Sequence, residues 1–205
     1  MELILIRHGE SEGNANGHVY GHTDYPMTKK GMKQVPIIVN MINRYRINKV
    51  YASPLIRAKV VAEAIGLDRN ISIILDDRLK EINFGKYEDM PREKVVELVG
   101  DKYNEIIGFF DHVALPGGEH QDDFLTRVND FIDELLAGDD GTYVLAGHFG
   151  VIKAILNHLM GYDKKALRQF AIKPGAIIKL TINKDKVRMD ELIQTFDSVD
   201  RISLL

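Results

Sequence analysis

The chain has 205 residues, of which 45% are hydrophobic and 28% charged, with a net charge of −3 and no cysteine. That length suits one well-buried domain spanning 1–205, and the slight acidic excess speaks against a dedicated nucleic-acid binder. The lack of cysteine excludes a disulfide framework, a thiol nucleophile and Cys-ligated metal centres. No apolar run reaches membrane-spanning length and the start lacks a basic n-region, so a cytoplasmic protein without a membrane partner is expected.

Leu3–Ile6 is a continuous apolar run and reads as a strand buried on both faces. A polar, glycine-bearing loop follows from Gly9 to Met27. Thr28 reads as the N-cap of a helix reaching about Tyr45, which Pro36 should kink or start late. Lys49–Ala52 is a second strand. Ser53-Pro54 then reads as N-cap and first-turn proline of a helix that runs to about Ile65 and stops at Gly66. Ile71–Leu75 is a third strand. From Asp76 to Gly118 the pattern is irregular, with helical pieces near Arg92–Val99 and Lys102–Phe110. Phe84, Tyr87, Met90, Phe109 and Phe110 read as core. The segment at about 85–118 is expected to pack over the site as a lid-like insertion. Gln121–Leu136 is a helix with Phe124, Val128, Phe131 and Leu135 on one face. Thr142–Ala146 is a fourth strand, followed by a helix over Phe149–Met160. Ala176–Ile182 and Val187–Ile193 form a terminal hairpin. The alternation predicts an α/β fold, three layers with a mainly parallel sheet.

Ligands of such sheets sit beyond the carboxyl ends of the strands. Arg7 and His8 follow the first strand, Ser53 and Arg57 the second, Glu81 the third at a short remove, and His148 the fourth. Two guanidinium forks match a phosphate. A neutral imidazole can attack phosphorus, a second can stabilise transition-state charge, and a carboxylic acid can protonate the leaving oxygen. The set reads as a phosphoryl-transfer site built without metal or other cofactor.

Arg7-His8-Gly9-Glu10, the run through Asn14 to Gly31, Ser53-Pro54-Leu55-Ile56-Arg57-Ala58, Glu81–Glu88 and Gly147-His148-Phe149-Gly150 together resemble the histidine phosphatases of phosphoglycerate mutase-like fold, along nearly the whole chain. The resemblance implies that His8 becomes phosphohistidine and that Gly9 orients its ring through a carbonyl. It implies that Arg7, Arg57 and His148 hold the phosphoryl oxygens with help from Asn14, and that Glu81 is the acid and later the base. Substrate contacts are expected from Arg7, Asn14, Tyr20, Gly21, His22, Arg57 and Phe149, with a small phosphorylated metabolite as partner. The Phe84–Glu88 block resembles the phosphatase branch, including α-ribazole phosphatases. A phosphoglycerate mutase and a catalytically silent phosphate binder are the competing readings. Two positions depart from the family pattern: Phe149, where glycine is more usual, and Gly13, near which an aromatic often stands. His18, His112, His120 and His158 read as surface or packing residues. No metal-ligand spacing is present, and a homodimer is left open.

Overall fold

The computed structural model describes residues 1–108, 111–162, 166, 171–184 and 186–194. Strand β1 (Glu2–Arg7) carries Leu3, Ile4, Leu5 and Ile6, none of which is exposed at all. A run with no polar residue can be buried on both faces only at the centre of a covered sheet. Accordingly β1 pairs in parallel with β6 (Thr142–Gly147) on one side and antiparallel with β7 (Ile177–Asn183) on the other. Strands β3 (Lys49–Ala52) and β4 (Ile73–Leu75) continue the parallel side, and β8 (Lys186–Ile193) closes the antiparallel one. The sheet order is therefore β4-β3-β6-β1-β7-β8.

Alternate residues of β1 face different helix layers. Ile4 and Ile6 pack with Val35 and Ile38 of α2 (Lys29–Met41) and Val61 and Ile65 of α3 (Ile56–Arg69). Leu3 and Leu5 pack with Phe124, Val128 and Phe131 of α6 (Gln121–Leu136) and Ile152 and Ile155 of α7 (Phe149–Met160). The three-layer α/β/α architecture follows from this alternation. Among the described residues no helix is long and apolar enough to cross a membrane.

Several expectations need correction. Pro36 neither breaks nor delays α2, which runs on from its Thr28 cap and ends at Met41 rather than Tyr45. Pro36 and Met32 both lie on the exposed face, so the carbonyl that proline leaves unpaired can be solvated. Ser53-Pro54 does not begin α3. The N-cap is Leu55, with no side-chain cap of its own, and the N–H of Ile56 donates to Oδ1 of Asp24 from a distant loop at 2.8 Å. Gly66 does not end α3 either; the helix continues to Arg69 and closes on left-handed Asn70. Glycine is needed at 66 for close approach, since a Cβ there would lie 2.8 Å from the carbonyl oxygen of Ile71.

The irregular segment contains β5 (Met90–Pro91), α4 (Arg92–Val99) and the short α5 (Tyr103–Ile106). Strand β5 pairs with β2 (His18–Val19), after a one-turn helix α1 (Glu12–Ala15), in a small separate sheet. Of the aromatics expected in the core here, Phe84 is buried, Tyr87 is half-buried, and Phe109 and Phe110 lie outside the described residues.

Because Asp24 supplies the cap that α3 lacks, Asp24→Ala should cost about 1 kcal/mol. That corresponds to a melting temperature lower by about 2–4 °C, measurable by calorimetry.

Candidate active site

His8 sits where β1 ends, and its backbone is clamped on both sides. Its N–H donates to the carbonyl of Gly147 at 3.0 Å, and its carbonyl accepts from the N–H of Gly175 at 2.8 Å. The ring Nδ1 lies 2.7 Å from the carbonyl oxygen of Gly9. A carbonyl only accepts, so Nδ1 carries the proton and Nε2 keeps its lone pair. Burial, reinforced by the charges of Arg57 and Arg7, holds the pKa of His8 well below 6.5 and the ring neutral.

Arg57, on the first turn of α3, is 1% exposed. Its Nη2 donates to the carbonyl of Gly21 at 2.6 Å and its Nη1 to that of Thr23 at 3.1 Å. Its guanidinium lies 4.9 Å from the centre of the Tyr20 ring. Arg7 donates through Nη1 to the carbonyl of Ile172 at 2.6 Å and lies 5.2 Å from the centre of the Phe149 ring. Each arginine is thus held by one edge, while its buried Nε has no hydrogen-bond partner among the described residues.

The ring of His148 lies 5.3 Å from that of His8. Ser53, expected as a helix cap, instead explains its orientation. The Ser53 hydroxyl oxygen accepts the N–H of Leu55 at 3.3 Å and lies 2.8 Å from Nε2 of His148. In the tautomer where Ser53 donates to Nε2, the imidazole proton is on Nδ1, which is buried and has no partner among the described residues. Burial, then Arg57 and His8, keeps this histidine neutral as well. In that tautomer, buried N–H groups of Arg7, Arg57 and His148 are unpaired among the described residues, and all three side chains act electrostatically on or pack beside His8. Buried donors left so cost stability unless something fills the place.

Glu81 is 6% exposed. Its oxygens accept the N–H of Ile82 at 3.1 Å and of Gly150, in the first turn of α7, at 2.9 Å. Burial raises its pKa despite those bonds and the nearby arginines. Asn14 has its amide oriented by Ser11, whose N–H and hydroxyl both donate to Oδ1, which turns the NH2 group outward from that capping box.

Arg7, His8, Asn14, Tyr20, Arg57, Glu81 and Phe149, each singled out from the sequence, line one cavity of about 370 Å³. His148 is not among the lining residues; its ring stands 5.3 Å from that of His8. The Gly13 departure has a packing reason: a Cβ there would come within 2.6 Å of the Tyr20 ring and 2.7 Å of Tyr25. Gly21 and His22, expected as substrate contacts, do not line the cavity. Gly21 instead gives its carbonyl to Arg57, and the electrostatic neighbours of the His22 ring are Arg127, Glu119, Glu88 and Lys80. The far wall differs from expectation in the other direction too. His18, Phe84, Arg92, Tyr103 and Ile107 line it, whereas Tyr87 does not. His18 also pairs with Asp89 at 2.9 Å. His112 and His158 make surface ion pairs, and His120 caps α6. Among the described residues no three His, Asp and Glu side chains are gathered to hold a metal ion.

Residues 3–195 match the model of the histidine phosphatase superfamily, branch 1. Phosphoserine phosphatase 1 of Hydrogenobacter thermophilus is 30% identical over 80% of this chain and 78% of its own. The adenosylcobalamin/alpha-ribazole phosphatase of Escherichia coli is 27% identical over 90% and 91%. Among solved structures, a phosphoglycerate mutase from Thermus thermophilus superposes with a TM-score of 0.73 at 30% identity, covering 95% of this chain and 99% of that one.

The depressed histidines set a pH dependence of stability. Below about 6.5 the unfolded chain takes up protons that the folded chain refuses, so stability is present above that pH and lost as pH falls. Each buried imidazole adds a slope of about 1.4 kcal/mol per pH unit in that window. His148→Asn should therefore weaken the acid sensitivity seen in urea titrations in phosphate-free buffer; a slope equal to the parent's would contradict the assignment.

Proposed function

The chain belongs to the histidine phosphatase superfamily, and we propose that it hydrolyses a small phosphomonoester through a phosphohistidine on His8, without a metal ion. One observation supports this above the others: an Nε2 lone pair fixed by the Gly9 carbonyl stands beside three buried, unpartnered N–H donors. A phosphoryl group supplies the electrophile for the first and the acceptors for the second.

In this mechanism Nε2 of His8 attacks phosphorus opposite the ester oxygen. The P–N bond forms as the P–O bond breaks. Nε of Arg7 and Arg57 and Nδ1 of His148 take the equatorial oxygens, where charge spreads in the transition state. Protonated Glu81 gives its proton to the departing alkoxide. Water then enters on the same side, loses a proton to Glu81 and attacks phosphorus, releasing phosphate and restoring neutral His8. The pKa of Glu81, already raised by burial, rises further beside bound phosphate, which keeps the acid ready for each turnover.

The leaving group extends toward Val19, Phe84, Tyr103 and Ile107, with His18 and Arg92 as the polar members of that wall. The segment at about 85–118, which contributes Arg92, Tyr103 and Ile107, covers this part of the cavity and acts in the proposal as its lid. The mutase-named relative at 30% identity motivates a second reading, isomerisation of a phosphoglycerate. Incubating 3-phosphoglycerate with bisphosphoglycerate primer and following 2-phosphoglycerate separates the two.

Hydrolysis of p-nitrophenyl phosphate should persist in EDTA and vanish in His8→Ala. Turnover should fall at alkaline pH as Glu81 loses its proton. Glu81→Gln should lower the rate with an alkyl phosphate about 10²–10⁴-fold. The loss with p-nitrophenyl phosphate, whose leaving group needs little protonation, should be smaller, and the alkaline decline should flatten. Equal losses on both substrates with an unchanged pH profile would remove Glu81 from the acid role.

A further inference from the structure

Glu88 has no role in the chemistry above, yet its carboxylate collects more donors than any acid of the active site. Oε1 accepts the N–H groups of Gly21, His22 and Phe84, each at 2.9 Å. Oε2 accepts the N–H of Gly21 at 3.0 Å, the N–H of Thr23 at 2.9 Å and the Thr23 hydroxyl at 2.6 Å. Three successive backbone N–H groups wrapped around one anion form a nest, closed here by a side chain of the same protein. Among the described residues no lysine or arginine forms an ion pair with Glu88.

The carbonyls of the same loop face the other way. Gly21 and Thr23, which donate to Glu88, are the two residues whose carbonyls receive Arg57. The carboxylate and the guanidinium thus grip one three-residue loop from opposite sides, and the charge of Glu88 reaches Arg57 through it. The bond to Phe84 ties this loop to the segment that carries Glu81 three residues earlier. The two segments touch so closely that a Cβ on Gly21 would lie 1.6 Å from the carbonyl oxygen of Ile82.

We propose that Glu88 is a positioning residue: it orders the 21–23 loop so that two carbonyls hold Arg57 with its Nε free for phosphate, at a fixed separation from Glu81. This rests on the reading of Arg57 as a phosphate-holding group. The carboxylate must be ionised to accept from every side at once. Burial works against that, but the Thr23 hydroxyl and the N–H groups of Gly21, Thr23 and Phe84 outweigh it and hold its pKa below the ordinary value. Glutamine at 88 keeps the shape, loses the charge and turns an NH2 toward backbone N–H groups. Arg57 then gains freedom to swing off its carbonyls.

A double-mutant cycle on the full chain tests this, with the KM of p-nitrophenyl phosphate and the Ki of inorganic phosphate as readouts. Glu88→Gln should raise both about tenfold in the parent and less than about twofold in an Arg57→Lys background, where the two-carbonyl grip is already gone. The same increase in both backgrounds would overturn the proposal and leave Glu88 a support of the fold alone. Should Glu88→Gln fail to fold, Thr23→Val removes one donor and keeps the backbone. It should raise the phosphate Ki about threefold in the parent and leave it unchanged beside Arg57→Lys; no change in the parent counts against the proposal. If Arg57→Lys alone leaves phosphate inhibition and turnover untouched, the error lies in the role given to Arg57, an outcome distinct from additivity.

Discussion

Two guanidinium groups converge beside one imidazole, and among the described residues neither has a carboxylate in firm contact. The nearest is Asp24, half-exposed and 3.8 Å from Arg57. Desolvating a cation costs several kcal/mol unless other groups replace its water. Here the replacements are carbonyl oxygens of Ile172, Gly21 and Thr23 and the ring faces of Tyr20 and Phe149. Carbonyls and aromatic faces satisfy a guanidinium without neutralising it. Its positive potential stays available to an incoming anion, and the same potential helps keep His8 and His148 unprotonated.

The local sequence was informative wherever chemistry sits at the end of a strand. Arg7 and His8 finish β1, and His148 finishes β6, so their positions follow from the strands that precede them. The run Leu3–Ile6 has no polar face and needs a central place in the sheet, which brings its end beside that of β6. Asn14 and Tyr20 lie close behind β1 in the chain and could be placed on the same rim. Glu81 is reached through a short irregular stretch, yet it is anchored by the Gly150 N–H in the first turn of α7.

What the sequence concealed is the far wall, and the reason is the length of the pieces. β2 and β5 are two residues each, too short for any periodicity to register. Their pairing turns His18 toward the cavity and brings Arg92 close, since the N–H of Arg92 donates to the carbonyl of Gly17. The exchange between His18 and His22 has the same origin. Past Val19 the chain is bent around Glu88, a residue 66 positions from His22 in the sequence, and that bend takes His22 out of the cavity. Ser53 misled for another reason. Ser-Pro at the start of an apolar run is a strong capping signal, but the helix begins two residues later than that signal implies, and the Ser53 hydroxyl instead meets Leu55 N–H and Nε2 of His148.

The two ends of the cavity are therefore made by different means. The end at His8 is built from the ends of β1 and β6, whose backbone is locked into the sheet, with Arg57 added from α3. The other end is built from a two-residue pairing, short helices and side chains such as Arg92 and Tyr103 that lie outside the central sheet. None of these side chains takes part in the backbone clamp on His8, which comes from Gly147 and Gly175. Glu88 marks the limit of this independence. Its carboxylate belongs to the irregular segment but accepts from the loop whose carbonyls hold Arg57, so the proposed positioning role links this segment to the guanidinium beside His8.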